Sequence, residues 1–337
     1  MNATIHAFAA YLEACRRDVY DARLFVLGHP APDGDAAVSS LMEGWRRTLS
    51  GTPAVPVLQA QAVPREAAWL LGELSPLVLT APEATTAMAH PDSRFVLTDH
   101  HDCPAHDRVV AVVDHHPLTP GTDLTGREVC LRPVGAATTL VVARMREEGL
   151  LPDAGVARIL LGGILLDTDG LSPHKAKPED TAAAGWLASL CGEDTGALYT
   201  ALQEELLGET DVTALYRRDY RLYTAPDRRP LLGFAILKVW RQAMPDRAAV
   251  RRLLAEDVAA RGCAACVVKI MLFSPDGGRE EHYLVAGPAA DTVREAIRDM
   301  AAPLAMTVAQ DEVYLPPEAT HRGRKWLSAK LLERLLQ

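Results

Sequence analysis

No apolar run in the 337 residues approaches the ~20 that a membrane-spanning helix needs. The start, Met1-Asn2-Ala3-Thr4-Ile5-His6, has neither the basic residues nor the apolar core of a signal peptide, so a cytoplasmic protein is expected. A basic excess is missing too. The formal net charge of −9 argues against broad nucleic-acid binding, which relies on a basic surface. It does not exclude a small anionic substrate, because bound cations can invert the field locally. The six cysteines form no framework. Cys15, Cys103, Cys130 and Cys191 are isolated, and Cys263 and Cys266 lie in an apolar run, 263–273, with no second CxxC or nearby His. That run reads as a buried strand with small apolar thiols rather than a zinc or redox pair. There is no GxxxxGK(S/T) loop and no GxSxG elbow, so a P-loop enzyme and a serine hydrolase are unsupported. Low-complexity tracts are also absent.

What is present is a globular composition, 48% hydrophobic and 23% charged, in a chain too long for one ordinary core. The most informative stretch is Asp114-His115-His116. An apolar run rich in β-branched residues, 109–113, leads into it, and Pro117 and Pro120 stop the strand at once. One carboxylate and two imidazoles are therefore expected at the C-terminal end of a parallel strand, where open α/β sheets keep their ligands. Fifteen residues earlier the pattern recurs: the apolar run 94–98 ends in Asp99-His100-His101. The bland alternative is a pair of solvated strand ends.

Along the chain, a helical run over 5–19 precedes a short buried strand, 24–27. Gly28-His29-Pro30-Ala31-Pro32-Asp33-Gly34-Asp35 then makes a tight loop into a helix. Asp33 and Asp35 suit helix capping, but a His beside two carboxylates within seven residues favours a metal site. Further strands are expected at 55–58 and 77–79, with helices at 65–74 and 83–89. Alternation of this kind implies a doubly wound, mainly parallel sheet. Gly135-Ala136-Ala137-Thr138 opens a helix whose first amides suit an anion, or simple close packing. A helix over 154–165 delivers Asp167, either as another ligand or as an ordinary helix-terminal turn. Helices are expected at 178–190 and 195–206, and 208–211 breaks the pattern as a linker. Beyond it, strand runs 231–239, 264–273 and 282–286 alternate with helical runs 247–260 and 291–300. The expected domains are 1–208 and 213–337, the second a smaller α/β unit.

His29, Asp33, Asp35, Asp99, His115 and Asp167 offer mostly carboxylate oxygens with two imidazoles. Structural zinc sites favour thiolates and calcium favours oxygen alone, so this set suits manganese, magnesium or cobalt. Six such ligands suggest two ions, which a phosphoryl-transfer site uses roughly 3.5–4 Å apart.

The order His-x-x-x-Asp-x-Asp, then Asp-His, Asp-His-His and Leu-Asp-Thr resembles the DHH phosphoesterase superfamily. Arg132-Pro133-Val134-Gly135-Ala136-Ala137-Thr138-Thr139 resembles a stretch of the family II, manganese-dependent inorganic pyrophosphatases and their exopolyphosphatase and prune-like relatives. Arg324-Lys325 looks like the Ser-Arg-Lys signature of their second domain, termed DHHA2. The resemblance implies an active site in an interdomain cleft. It implies that His29 and Asp33 hold one metal, that Asp35, His115 and Asp167 hold the other, and that Asp99 bridges both. His116 would contact the substrate phosphate and protonate the leaving group, and Asp114 would orient the imidazoles. Arg324, Lys325 and one of Arg228 and Arg229 would bind phosphate. Two divalent cations are implied, manganese first, with cobalt and magnesium as alternatives, and a homodimer is allowed.

The departures bear on substrate length. Ser172-Pro173 is followed by His174-Lys175 where pyrophosphatases usually have Ser-Pro-Thr, and the run to Asp180 is closer to the exopolyphosphatase and prune-like branch. Gly323 replaces the signature serine, Trp326 replaces a second lysine, and His101 stands where Asn is usual. The expected activity is metal-dependent hydrolysis of pyrophosphate or short polyphosphate. The rivals are a phosphodiesterase on short oligonucleotides or cyclic nucleotides and a regulatory binding protein of low activity. Gly277 to His282 only faintly echoes the glycine-rich motif of the oligonucleotide-degrading branch, and the acidic charge disfavours it.

Overall fold

Short β-branched runs that are apolar on both faces belong inside parallel sheets, and the first half of the chain is assembled from them. The computed structural model describes residues 2–103, 106–118, 121–225, 227, 229–274, 278–316, 318 and 324–336. The chain divides into two compact units, Met1–Glu205 and Leu206–Gln337.

The first unit runs β1 (Asn2–Ala3), α1 (Ile5–Asp18), β2 (Leu24–Leu27), α2 (Gly34–Leu49), β3 (Val55–Val57), α3 (Arg65–Leu71), α4 (Ala81–Met88), β4 (Arg94–Thr98), β5 (Val109–Asp114) and β6 (Glu128–Leu131). It continues through α5 (Ala137–Glu147), β7 (Leu151–Pro152), α6 (Ala154–Asp167), α7 (Pro178–Cys191) and α8 (Thr195–Leu207). Five strands form one sheet in the order β3-β2-β4-β5-β6, every neighbour parallel. The chain leaves β2 for β3 on one side and returns to β4 on the other. The strand order therefore reverses between β2 and β4, which is where a doubly wound sheet opens a crevice at its C-terminal edge. The loops after β2 and β4 carry His29, Asp33 and Asp99 to that edge.

Helix α2 is buried from Gly34 to Arg47 and packs against α5 and α6. Its entry requires a close approach. A Cβ on Gly28 would lie 2.7 Å from the carbonyl oxygen of Ala36, a backbone atom that cannot swing aside. Helix α6 is apolar almost throughout, from Val156 to Leu165, and is buried accordingly.

One expected strand does not form. Residues Gly72–Leu77 make a 3-10 helix that contains Pro76, and Thr80 already caps α4 through a box with Glu83. Only Val78 and Leu79 remain between them, and the sheet edge gains a single bridge, Leu58 to Thr80. The apolar side chains at 78 and 79 are buried without a strand.

The second unit holds α9 (Val212–Arg218), β8 (Arg221–Thr224), β9 (Pro230–Trp240), α10 (Arg247–Arg261), β10 (Ala265–Phe273), β11 (Arg279–Ala286), α11 (Ala290–Ala301), β12 (Met306–Ala309), β13 (Glu312–Leu315) and α12 (Arg324–Leu335). Its sheet has the order β12-β13-β11-β10-β9-β8, with β9 and β10 parallel and the other pairs antiparallel. Strands β8, β12 and β13 have only four residues each, β8 and β12 are partly exposed and the buried β13 carries Glu312, so none shows the long apolar run that marks a strand in sequence. Lys269 in the buried centre of β10 is neutralised by Glu281 of β11 at 2.7 Å. Cys263 and Cys266 are free and buried. Among the described residues no helix is long and apolar enough to cross a membrane.

The crowding at Gly28 can be measured. Gly28→Ala should lower unfolding free energy by about 1–3 kcal/mol, the usual cost of overpacking. Gly185→Ala, in α7 with no atom within 4 Å of the added Cβ, should raise it by about 0.5–1 kcal/mol. Urea denaturation of both variants reads the difference, and equal effects would mean the β2–α2 approach is looser than described.

Candidate metal centre

The loop after β2 brings two kinds of ligand together. His29 places Nε2 at 3.5 Å from Asp99 Oδ2 and 3.8 Å from Asp33 Oδ2. Its Nδ1 lies 3.1 Å from the Pro30 carbonyl, a contact that assigns the proton to Nδ1 and leaves the Nε2 lone pair for a cation. Asp33 both caps and faces the site. Its Oδ1 accepts the Ala36 N–H of α2 at 3.1 Å, and Oδ2 turns to His29.

Asp35 is 1% exposed and accepts the amides of Ala137 at 2.6 Å and Thr138 at 2.9 Å. The start of α5, which the sequence marks as suited to an anion, is thus filled by a carboxyl group of the chain itself. Unpaired N–H groups and the helix dipole favour a carboxylate there.

The ends of β4 and β5 supply the middle of the cluster. Asp99 is 3% exposed and adopts a left-handed backbone, φ 61°, which Asp tolerates better than most residues. Its N–H still donates to the Val113 carbonyl at 3.0 Å, so the turn is tied to β5. Asp99 Oδ1 lies 3.0 Å from His115 Nε2, and that same nitrogen lies 3.4 Å from Asp167 Oδ2. Asp167 arrives as the last residue of α6. His115 Nδ1 lies 2.9 Å from the Val134 carbonyl, which fixes the ring and again leaves Nε2 for a metal. Donor atoms of His29, Asp33 and Asp99, and of Asp35, His115 and Asp167, lie within 4.8 Å of one another in each set.

Behind this front lies Asp114, which is 0% exposed. Its Oδ1 accepts the His115 N–H at 2.8 Å and lies 2.8 Å from His116 Nδ1, and its Oδ2 lies 2.6 Å from His101 Nδ1. Burial opposes its charge, but His116 and His101 outweigh that and hold the carboxyl well below the usual range. Sequence reasoning assigned His101 no role. The structure buries it against Asp114, and the repeated Asp-His-His was the available signal.

The electrostatics follow from packing carboxylates together. Burial and the neighbouring Asp99 and Asp167 push Asp35 well above the ordinary carboxylate range. Burial, with Asp33 and Asp99, raises Asp167 to about 6. Burial disfavours the charged imidazoles, yet Asp33 and Asp99 raise His29 to about 9, and Asp99, Asp35 and Asp167 raise His115 to about 10. Protons on two imidazoles thus offset carboxylate repulsion in a site whose Nε2 atoms point inward. Mixed oxygen and imidazole donors without thiolate fit hard or borderline divalent cations, manganese, magnesium or cobalt among them.

Two further residues, named in the sequence reading only within a departure from the family pattern, were given no role there. Asp180 is fully buried and accepts Gly135 N–H at 2.7 Å, Thr139 Oγ1 at 2.6 Å and Lys177 N–H at 2.7 Å, which ties the start of α5 to the start of α7. Lys175 Nζ donates to the Asp167 carbonyl at 3.0 Å. The expected phosphate ligands of the second unit fare differently. Arg229 is exposed and lies 3.7 Å from Asp227. Arg228 lies outside the described residues, as do the side chains of Arg324 and Lys325, whose backbone opens α12.

No family model matches the chain. A protein of Deinococcus radiodurans named probable manganese-dependent inorganic pyrophosphatase is 30% identical over 216 residues, 60% of this chain and 66% of that one. A protein of Streptococcus suis with the same name is 31% identical over 180 residues, 50% of this chain and 56% of that one. The chain thus spans between a little over half and just under two thirds of the length of these curated relatives. Among solved structures, a Methanococcus jannaschii protein provisionally described as a family II inorganic pyrophosphatase superposes with a TM-score of 0.71 at 16% identity, covering 93% of this chain and 100% of that one. The chain is therefore a relative of proteins carrying that name, and it shares the mixed α/β fold of the archaeal protein.

Loading a metal must displace the imidazole protons, because a cation and a proton compete for Nε2. At pH 7, below the raised values of His29 and His115, binding should release at least about two protons, those of the two imidazoles, and the raised Asp35 carboxyl adds to that number. Apparent affinity should fall about tenfold per displaced proton for each unit of pH decrease. Calorimetric titration with manganese in two buffers of different ionisation enthalpy counts those protons, and none released would remove both imidazoles from the ligand set.

Proposed function

We propose that this chain is a phosphoanhydride hydrolase that cleaves inorganic pyrophosphate, with short polyphosphate as the second substrate. The observation that carries this reading is the pair of donor sets, His29 with Asp33 and Asp35 with His115 and Asp167, on either side of Asp99 at the sheet's switch point. The names of the relatives, manganese-dependent inorganic pyrophosphatase, support the same substrate and cation.

In this reading His29 and Asp33 would hold one divalent cation, Asp35, His115 and Asp167 would hold a second, and Asp99 would contribute to both. Manganese is the first choice, with cobalt and magnesium as alternatives. Such cations would supply Lewis acidity toward the phosphoryl group and acidify the attacking water. The remaining work falls to protein groups. Asp114 Oδ1 lies against His116 Nδ1, so the proton for the leaving phosphate would come from Nε2 of that ring. The same carboxylate, held ionised, keeps the ring oriented and stabilises its charged form. Arg324 and Lys325, with Arg228 or Arg229, would neutralise the remaining phosphate oxygens, Arg in bidentate fashion and Lys as a point charge.

Phosphate release should be assayed from pyrophosphate, tripolyphosphate, long polyphosphate and a dinucleotide after chelation and reloading with manganese, cobalt or magnesium. Pyrophosphate cleavage restored by manganese supports the proposal, and cleavage by protein shown to be metal-free overturns it. Preference for the dinucleotide would transfer the site to a phosphodiester.

Two variants locate the chemistry. Asp99→Asn removes charge from the carboxylate that faces both donor sets and should cost at least about 100-fold in kcat/KM, roughly 2.7 kcal/mol. His101→Asn keeps a hydrogen-bonding group toward Asp114 and should stay within about tenfold. Equal losses would mean that Asp99 does not occupy the centre of the site.

A further inference from the structure

We propose that Lys175 is a substrate-binding residue of this site, its ammonium engaging a phosphate oxygen of the anion held beside Asp167. The inference rests on the phosphoanhydride reading above. It concerns a stretch, Ser172 to Lys175, where this chain departs from the Ser-Pro-Thr of the pyrophosphatases it resembles.

Position comes first. Lys175 Nζ lies 3.0 Å from the Asp167 carbonyl oxygen, 3.3 Å from Asp169 Oδ2 and 3.9 Å from Asp167 Oδ1. The ammonium thus stands against both the backbone and the carboxylate of a residue in the second donor set. An ammonium has three N–H groups. The carbonyl and Asp169 occupy two directions, and the side chain is 45% exposed, so a third direction is open to water.

The segment that carries Lys175 is built to hold it there. Three successive residues, Asp169, Gly170 and Leu171, have left-handed backbone, at φ 49°, 66° and 66°. Two of them are not glycine, and such strain persists only where surrounding contacts over-determine it. Those contacts are present. Thr168 Oγ1 accepts the Leu171 N–H, the Thr168 carbonyl accepts Ser172 N–H, and the Ser172 carbonyl accepts the N–H groups of Lys175 and Ala176. The Tyr199 ring lies so close to Gly170 that a Cβ there would sit 2.4 Å from Cδ1. On the other side, a Cβ on Gly135 would meet the Lys175 carbonyl oxygen at 3.0 Å. The backbone of Lys175 is therefore fixed between the turn after α6 and the entry to α5, and the flexible part is its four-carbon stem.

Charge gives the position its purpose. A cation beside a metal ligand repels an incoming divalent ion, so Lys175 works against metal loading. Asp169 offsets that cost at rest. A polyanionic substrate reverses the balance, because a phosphate oxygen can take the ammonium from Asp169 while the cations take the others. Lys175 then contributes to substrate affinity without touching the attacking water.

The test uses the manganese-loaded full chain with imidodiphosphate, which cannot be hydrolysed at the bridging atom, as the binding probe. Lys175→Met keeps the stem and removes the charge, and Lys175→Arg keeps the charge. Lys175→Met should raise Kd for imidodiphosphate and KM for pyrophosphate by about 10- to 100-fold, the size expected from a lost charge-assisted hydrogen bond, with kcat within about threefold. Manganese affinity should hold or tighten, and Lys175→Arg should recover most of the binding. Unchanged Kd in Lys175→Met, or weakened manganese binding in parallel, overturns the proposal and leaves Lys175 a brace for Asp167. If wild type cleaves pyrophosphate while Lys175→Met matches its Kd, this inference alone fails. A wild type that neither binds imidodiphosphate nor cleaves pyrophosphate removes both readings.

Discussion

Carboxylates gathered in a poorly solvated place repel one another, and the first unit is arranged to contain that repulsion. Asp33 and Asp35 from the entry to α2, Asp99 from the loop after β4 and Asp167 from the end of α6 meet at one edge of the parallel sheet. Each has its own counterweight. Asp33 caps α2, Asp35 rests on the first amides of α5, Asp99 faces His29 and His115, and Asp167 faces His115 and Lys175. Helix placement follows from the same demand. Two helix starts converge on the cluster because unpaired N–H groups are the donors a buried carboxylate needs. The positive φ of Asp99 is the local cost of turning a strand-end carboxylate into that space.

The two Asp-His-His ends are crossed rather than duplicated. From the first, Asp99 faces the donor sets, and from the second, His115 does so. Behind them stand Asp114 of the second end and His101 of the first, joined at 2.6 Å. Each strand end thus gives one residue to the front and one to the support. The Pro30 and Val134 carbonyls fix which nitrogen of His29 and of His115 is free, and that choice decides whether each ring can bind a cation at all.

Relationship and geometry contribute different parts of the functional reading. The named relatives point to a cation and a substrate, while their alignment spans only part of their length. The fold likeness extends over nearly the whole chain, at an identity too low to carry chemistry by itself. The donor sets connect the two, because mixed carboxylate and imidazole ligands at a switch point suit the cation that the relatives are named for.

The amino-acid sequence by itself determined the elements with strong local signals. The apolar runs at 24–27, 94–98 and 109–113 are strands, because a short, mostly buried run needs no partner information to be recognised. The six candidate ligands stood out because each sits at or within two residues of the end or start of a strand or helix. Tertiary structure alone decided what those ends meet. Asp35 and Ala137 are 102 residues apart, and no periodicity in either stretch announces that one supplies the anion for the other. His101 on Asp114, Asp180 across two helix starts and Lys175 beside Asp167 are contacts of the same kind. The run at 77–79 failed in the opposite way. It has the composition of a strand, but Pro76 on one side and the cap at Thr80 on the other leave too little backbone for a ladder. Local pattern reports what a segment can bury, whereas hydrogen-bond partners distant in sequence depend on how the segments are brought together.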